Sequence, residues 1–147
     1  VPHSSVFAVE ISPEAHEWAA RNIAATGAEN LELRLGDLAD AFQDLNGQVA
    51  VVISNPPYIP TNAVPRDPEV KNFDPPVALF GGDDGLDVVR VVSRTAGRLL
   101  RPGGTLVVEH GELQGAEIRA LLRADGWRAA STHPDLLGRD RATICLK

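Results

Sequence analysis

Short apolar runs alternate along the chain with amphipathic stretches of helical period, and that alternation predicts strands and helices in turn. Ser5 to Val9 reads as a buried strand ending at Glu10. Ser12-Pro13-Glu14 then opens a helix: Ser12 can cap, Pro13 suits the first helical position, and Glu14 complements the positive end of the dipole. Ala15, Trp18, Ala19 and Ile23 share one face of it, and Gly27 is a plausible stop. Leu31, Leu33 and Leu35 alternate with polar residues, as in a strand with one face more exposed, and Gly36-Asp37 ends it. A short helical segment around Leu38 to Leu45 and a turn at Asn46-Gly47 follow. Val49 to Ile53 is an unbroken apolar run rich in β-branched residues, the pattern of a central parallel strand buried on both faces.

The second half continues the rhythm. Val88, Val89, Val92, Ala96, Leu99 and Leu100 mark a helix from Leu86 to Leu100, ended by a tight turn at Arg101-Pro102-Gly103-Gly104. Thr105 to Glu109 is the next buried strand, and Ile118, Leu121 and Leu122 lie on a helix from about Gln114 to Ala124. Strands are predicted at Trp127 to Ser131 and Ala142 to Leu146, with a loop opened by His133-Pro134-Asp135. No helix separates these last two strands, so they pair as an antiparallel hairpin at the sheet edge. The whole is an α/β pattern: a mostly parallel sheet with helices on its faces.

Residues 56–85 break the pattern. Seven of the eleven prolines fall between Pro56 and Pro76, and Gly81-Gly82-Asp83-Asp84-Gly85 follows. A loop this long inside a compact domain is usually functional or disordered. Its apolar members, among them Ile59, Val70, Phe73 and Phe80, argue for an ordered cover that shapes a pocket.

Three strands end in polar groups: Glu10, Asp37 and Asn55. In parallel strands all three lie on the carboxyl edge of the sheet, where ligands bind in open α/β folds. A carboxylate there can accept both hydroxyls of a ribose, and a second can accept from an exocyclic amine; each can equally cap a turn or the next helix. Asn55-Pro56-Pro57-Tyr58 puts an amide, two rigid prolines and an aromatic ring at this edge, although Asn-Pro and Pro-Pro are also common loop dipeptides.

Composition narrows the field. The 147 residues suffice for one domain, and 44% hydrophobic with 23% charged is ordinary for a globular protein. No stretch approaches a membrane span, and the opening Val-Pro-His-Ser-Ser lacks the basic start and apolar middle of a signal peptide. The net charge of −6 is uneven: residues 1–54 carry 8 acidic and 2 basic side chains, whereas residues 111–147 carry 5 and 6. No basic cluster is visible, which argues mildly against nucleic acid as the main partner. A single cysteine, Cys145, excludes an internal disulfide and fits a reducing, cytoplasmic setting. His3, His16, His110 and His133 show no metal-ligand spacing, and neither a Gly-x-Ser-x-Gly elbow nor a P-loop lysine motif occurs.

Val-Phe-Ala-Val-Glu10, Gly36-Asp37, Ser-Asn55-Pro56-Pro57-Tyr58-Ile, Phe73-Asp-Pro-Pro-Val-Ala-Leu79, Glu109-His110-Gly111 and Gly138-Arg-Asp-Arg-Ala-Thr143 together carry a resemblance over nearly the whole chain. The chain resembles the class I S-adenosylmethionine-dependent methyltransferases, and within them the HemK family, which methylates a glutamine of peptide chain release factors. The resemblance implies a Rossmann-like sheet, S-adenosylmethionine as cofactor and a release factor as protein substrate. By it, Glu10 would hold the ribose hydroxyls and Asp37 the adenine amine, with Ile11, Leu38 and Asn55 also at the cofactor. The side-chain oxygen of Asn55 and the carbonyl of Pro56 would accept the two hydrogens of the target amide nitrogen. Tyr58 would pack on the amide plane, with Pro57 beside it.

The chain departs from the family pattern at its start. Only five residues precede Val6, so the family's first strand, its glycine-rich loop and its N-terminal substrate-recognition domain have no counterpart in 1–147, which reads as a single partial catalytic domain. The family's strand order, 3-2-1-4-5-7-6, would then have a gap near its middle. The expectation is that this polypeptide alone binds the cofactor weakly or not at all. Two other readings stay open: an N-methyltransferase acting on exocyclic amines of DNA or RNA, and an inactive fragment that keeps only the fold.

Overall fold

The computed structural model describes residues 4–65 and 67–147, so the readings of Val1 to His3 lie outside the described residues. The chain packs as two compact units, residues 1–43 and 44–147.

In the first unit, β1 (Val6–Glu10) pairs in parallel with β2 (Leu31–Leu35), from Val6 opposite Leu31 to Glu10 opposite Leu35. The connection is α1 (Pro13–Thr26), and its caps are the expected ones. Ser12 Oγ accepts from the Ala15 N–H at 3.3 Å, and Gly27 closes the helix in the left-handed region at φ 65°. The expected burial does not follow. Val6 and Phe7 of β1 are exposed, as is Trp18 of α1, whose ring lies under the Arg21 guanidinium at 4.9 Å. Only Ala8, Val9, Ala19 and Ile23 of the predicted apolar set are half-buried. Among the described residues of this unit the buried ones are Ala41 and Phe42, with Phe7 edge-on to the Phe42 ring at 5.7 Å. The segment predicted as one short helix is two 3₁₀ turns, Leu38–Asp40 and Gln43–Leu45. Phe42 between them sits at φ 52°, and a left-handed residue cannot continue a right-handed helix.

The second unit carries a four-stranded sheet, ordered β3 (Val49–Ser54), β4 (Leu100–Glu109), β6 (Asp140–Leu146), β5 (Arg128–Pro134). β3 runs parallel to β4, and β6 is antiparallel to both β4 and β5, as the missing helix between the last two strands predicted. Pro134 ends β5 on the sheet's outer edge, where a residue without an N–H is tolerated. The turn at residues 101–104 is a bulge inside β4: Val49 faces Leu100, yet Val51 faces Thr105. Strand orders β1-β2 and β3-β4-β6-β5 match the corresponding parts of the expected order.

β3 is not the doubly covered central strand that its apolar run implied. Among the described residues it pairs on one side only, and Val51 and Ile53 are 51% and 75% exposed. The core lies instead around β4, where Leu100, Leu106 and Val108 are fully buried together with Cys145 of β6. α4 (Asp87–Leu99) packs on β3 and β4 through Val89, Val92 and Ala96, and α5 (Gly115–Ala124) packs on β5 and β6 through Ile118 and Leu122.

A buried polar link fastens α4 to the turn after α5. The Trp127 indole N–H donates to Ser93 Oγ at 2.9 Å, and Ser93 Oγ donates to Asp125 Oδ2 at 2.6 Å. Ser93→Ala leaves the indole N–H without an acceptor, an expected loss of about 1–3 kcal/mol in urea unfolding. Trp127→Phe in the Ser93→Ala background should cost less than Trp127→Phe alone, because the orphaned donor goes with it.

Over residues 56–65 and 67–85 the chain takes defined local structure, but Val64, Phe73 and Val77, counted among the apolar members of a cover, are exposed. The segment forms α2 (Pro68–Phe73) and α3 (Pro76–Leu79), and Ile59 bridges in parallel to Phe80. Among the described residues no helix is long and apolar enough to cross a membrane.

Candidate active site

β3 ends at Ser54, opposite Val108 of β4, because Pro56 and Pro57 have no N–H for the ladder. Asn55 is thus the first residue beyond the strand. It is exposed, and its carboxamide makes no hydrogen bond among the described residues. Pro56 is buried, and Pro57 and Tyr58 are half-buried.

The loop that carries these residues is held at nearly every step. Ile59 N–H donates to Leu79 O and Gly81 N–H to Ile59 O, each at 2.9 Å. Gln114 Nε2 donates to the Tyr58 carbonyl at 2.9 Å. Arg141 Nη1 lies 3.5 Å from the Tyr58 hydroxyl and donates to the His110 carbonyl at 3.0 Å. Gly81 and Gly85 are the cradle. A Cβ on Gly81 would come within 2.5 Å of the Pro57 carbonyl oxygen, and one on Gly85 within 2.4 Å of that of Tyr58. Only glycine lets two backbones approach so closely.

Asp84 anchors the same segment. Its carboxylate accepts from the Leu86 N–H at 2.9 Å and pairs with Arg90 at 2.5 Å. The Arg90 hydrogen bond and the Leu86 N–H hold its carboxyl down at about 2, against an ordinary 3.8. A depressed folded-state value contributes stability above the unfolded value, which is lost as pH falls from about 4 toward 2. The pair is exposed, so the effect is small. Asp84→Asn should lower the neutral plateau slightly and flatten the acid limb by the same small amount, the two stability–pH profiles converging near pH 2.

Glu10 and Asp37 lie at the carboxyl ends of β1 and β2, side by side on one edge, since Gly36 N–H donates to the Glu10 carbonyl at 2.9 Å. Glu10 Oε1 accepts from the Ser12 N–H at 2.8 Å, and Asp37 Oδ1 accepts from the Ala39 N–H at 2.8 Å. Each carboxylate therefore caps its own turn with one oxygen and keeps the other without a partner among the described residues. Ile11 beside Glu10 is exposed and Leu38 beside Asp37 is half-buried. Among the described residues no cluster of three or more metal-ligating side chains occurs.

Gln114, Arg141 and the two cradle glycines were given no role at the site from the sequence, although Gly81, Gly85 and Arg141 lie in stretches it marked. For the glycines the role was open to reading, since closely spaced glycines after a proline-rich loop signal close backbone approach. Gln114 and Arg141 lie 56 and 83 residues from Tyr58 in the chain, and no local pattern announces such contacts.

No protein-family model matches the chain. Curated proteins do. The chain is 49% identical over 149 residues to the release factor glutamine methyltransferase of Streptomyces coelicolor, a match that covers 100% of this chain and 52% of that protein. With the enzyme of the same name from Bifidobacterium longum it shares 44% identity over 96% of this chain and 51% of that protein. The chain is a homologue of the release factor glutamine methyltransferases. It spans about half the length of these relatives. A third relative, 47% identical over 91% of this chain and 45% of its own length, is a 4-amino-L-phenylalanine/4-methylamino-L-phenylalanine methyltransferase of Streptomyces pristinaespiralis. Among solved structures, a methyltransferase of Pyrococcus furiosus superposes with a TM-score of 0.70 at 21% identity, over 97% of this chain and 62% of that one. Aeropyrum pernix fibrillarin with natively bound S-adenosyl-L-methionine superposes at 0.63 and 16% identity, over 100% of this chain and 57% of that one. The fold is that of the class I methyltransferases, as the resemblance implied.

Proposed function

We propose that this chain supplies the catalytic half of an S-adenosylmethionine-dependent methyltransferase acting on the side-chain amide nitrogen of a glutamine in a peptide chain release factor. The observation that carries the reading is the 49% identity over the whole chain to an enzyme of that name, together with an Asn55 carboxamide left free on a fastened loop.

The chemistry suits the residues. An amide nitrogen is a poor nucleophile because its lone pair is delocalised into the carbonyl. Asn55 Oδ1 and the Pro56 carbonyl would accept its two N–H hydrogens and hold the nitrogen in line with the methyl group. Such acceptors also favour the loss of positive charge from nitrogen as the new bond forms. Tyr58 would stack on the amide plane, steadied by Arg141 at its hydroxyl. The prolines fix the backbone before the substrate arrives, and orientation of this kind supplies up to about 7–11 kcal/mol of barrier reduction in the best cases.

The cofactor, when bound, supplies an activated methyl on a sulfonium. Glu10 and Asp37 fit its nucleoside: each keeps one carboxylate oxygen for a ribose hydroxyl or an exocyclic amine. Ile11 and Leu38 would flank the base. The release factor as partner and a cytoplasmic setting belong to the same proposal.

A second acceptor class has one observation in its favour, the 47% identity to an enzyme named for an aromatic amine. An arylamine nitrogen is also conjugated and also presents two hydrogens to the same pair of acceptors. The test offers the full-length protein a release factor, its Gln→Ala variant at the Gly-Gly-Gln loop, and 4-amino-L-phenylalanine. Methyl transfer confined to the intact release factor supports the first reading. Transfer to the free amino acid alone replaces it with the second.

A further inference from the structure

The first residue before α5 is Gln114, where a side chain ordinarily caps the helix, yet this one makes no cap. Its carboxamide turns instead to the loop. Oε1 accepts from the Gly111 N–H and Nε2 donates to the Tyr58 carbonyl, both at 2.9 Å. An N–H can only donate and a carbonyl can only accept, so this amide has one permitted orientation. Gly111 is held from its other side as well, because its carbonyl receives His110 Nδ1 at 2.9 Å.

Behind His110 the contacts continue inward. His110 Nε2 lies 2.9 Å from Thr143 Oγ1, which lies 3.0 Å from Thr132 Oγ1, and Arg119 Nη1 donates to Thr132 Oγ1. His110 and Thr143 are fully buried. An arginine can only donate and the Gly111 carbonyl can only accept. One order gives every hydrogen a partner: Arg119 to Thr132, Thr132 to Thr143, Thr143 to His110 Nε2, and His110 Nδ1–H to Gly111. Hydrogen bonds aligned in one direction polarise and stiffen one another.

We propose that Gln114 is a positioning residue for the Asn55–Tyr58 loop, set by this one-way chain from Arg119. Between the end of β3 and the anchored Tyr58 carbonyl stand two prolines with locked φ angles. Few soft torsions remain, so holding the Tyr58 carbonyl holds the direction in which Asn55 and the Pro56 carbonyl point. The catalytic consequence rests on the methyltransferase reading above; the mechanical one does not.

The test is Gln114→Glu in the full-length protein. This change keeps the shape and the acceptor for Gly111 but replaces the donor to Tyr58 by an oxygen. Amide hydrogen exchange at residues 58–61 should speed up by about fivefold or more, with β5 and β6 unchanged. In the same protein kcat should fall about 10–100-fold, with KM for the acceptor and cofactor affinity within about twofold. A merely structural role would change exchange across the domain and lower kcat only through the folded fraction. If Gln114→Glu does not fold, Gln114→Met, uncharged and of similar length, takes its place. Unchanged exchange at 58–61 overturns the proposal whatever the activity. Faster exchange with an unchanged kcat in an active enzyme overturns its catalytic part. Faster exchange in a wild-type protein that methylates no amide leaves the anchor standing and removes the functional reading instead.

Discussion

Asn55→Ala is expected to lower methyl transfer by about 100–1000-fold, the usual cost of removing one preorganised polar group from a transition state. In the proposed reaction Asn55 would supply an acceptor for a hydrogen of the reacting nitrogen, and, exposed on a fixed loop, it makes no hydrogen bond among the described residues on which the fold depends. The unfolding midpoint should therefore move little. Cofactor affinity should also stay within a few-fold, since the carboxylates assigned to the nucleoside are Glu10 and Asp37. Single-turnover transfer and equilibrium cofactor binding in the full-length protein separate the two effects. A loss of binding that matches the loss of rate would reassign Asn55 from the acceptor to the cofactor.

Gly85→Ala is expected to be the most damaging small change in the cover. Gly85 sits at φ 75°, and an added Cβ would lie 2.4 Å from the Tyr58 carbonyl oxygen and 2.8 Å from Gln114 Nε2. The left-handed backbone costs about 1–2 kcal/mol and the overlap with fixed backbone a further 1–3, about 2–5 kcal/mol in all. Chemical denaturation should show that loss. At a temperature where the variant is still folded, kcat should fall too, because the added methyl displaces the carbonyl that Gln114 holds. Gly103→Ala is the control: its φ is also 75° but a Cβ there meets nothing within 4 Å. It should lose only the backbone share of the stability and none of the kcat.

The order of elements was legible because period and punctuation are local. The helix expected from Leu86 to Leu100 runs over Asp87–Leu99, and the one expected from Gln114 to Ala124 over Gly115–Ala124. The closing hairpin followed from the absence of any helical stretch between two strand patterns. Burial was not legible to the same degree. Val49 to Ile53 and Ser5 to Val9 are apolar enough for doubly covered strands, but an apolar run records what a strand is made of and not how many neighbours it pairs with. The break at Phe42 was hidden because a left-handed aromatic residue leaves no mark in a propensity pattern. At the candidate site, the residues at strand ends were readable from position alone. The contacts of Gln114, Arg141 and the His110 chain were not, since each is made with partners far away in sequence.

The burial of Cys145 gives this protein a built-in clock. It is the one cysteine of the chain, fully enclosed in β6 opposite Leu106, and burial pushes its thiol up to about 11. A thiol so placed neither ionises near neutral pH nor meets a reagent until β6 separates from the core. The rate of its alkylation under native conditions therefore counts openings of the sheet's centre, without a label, a mutation or a substrate.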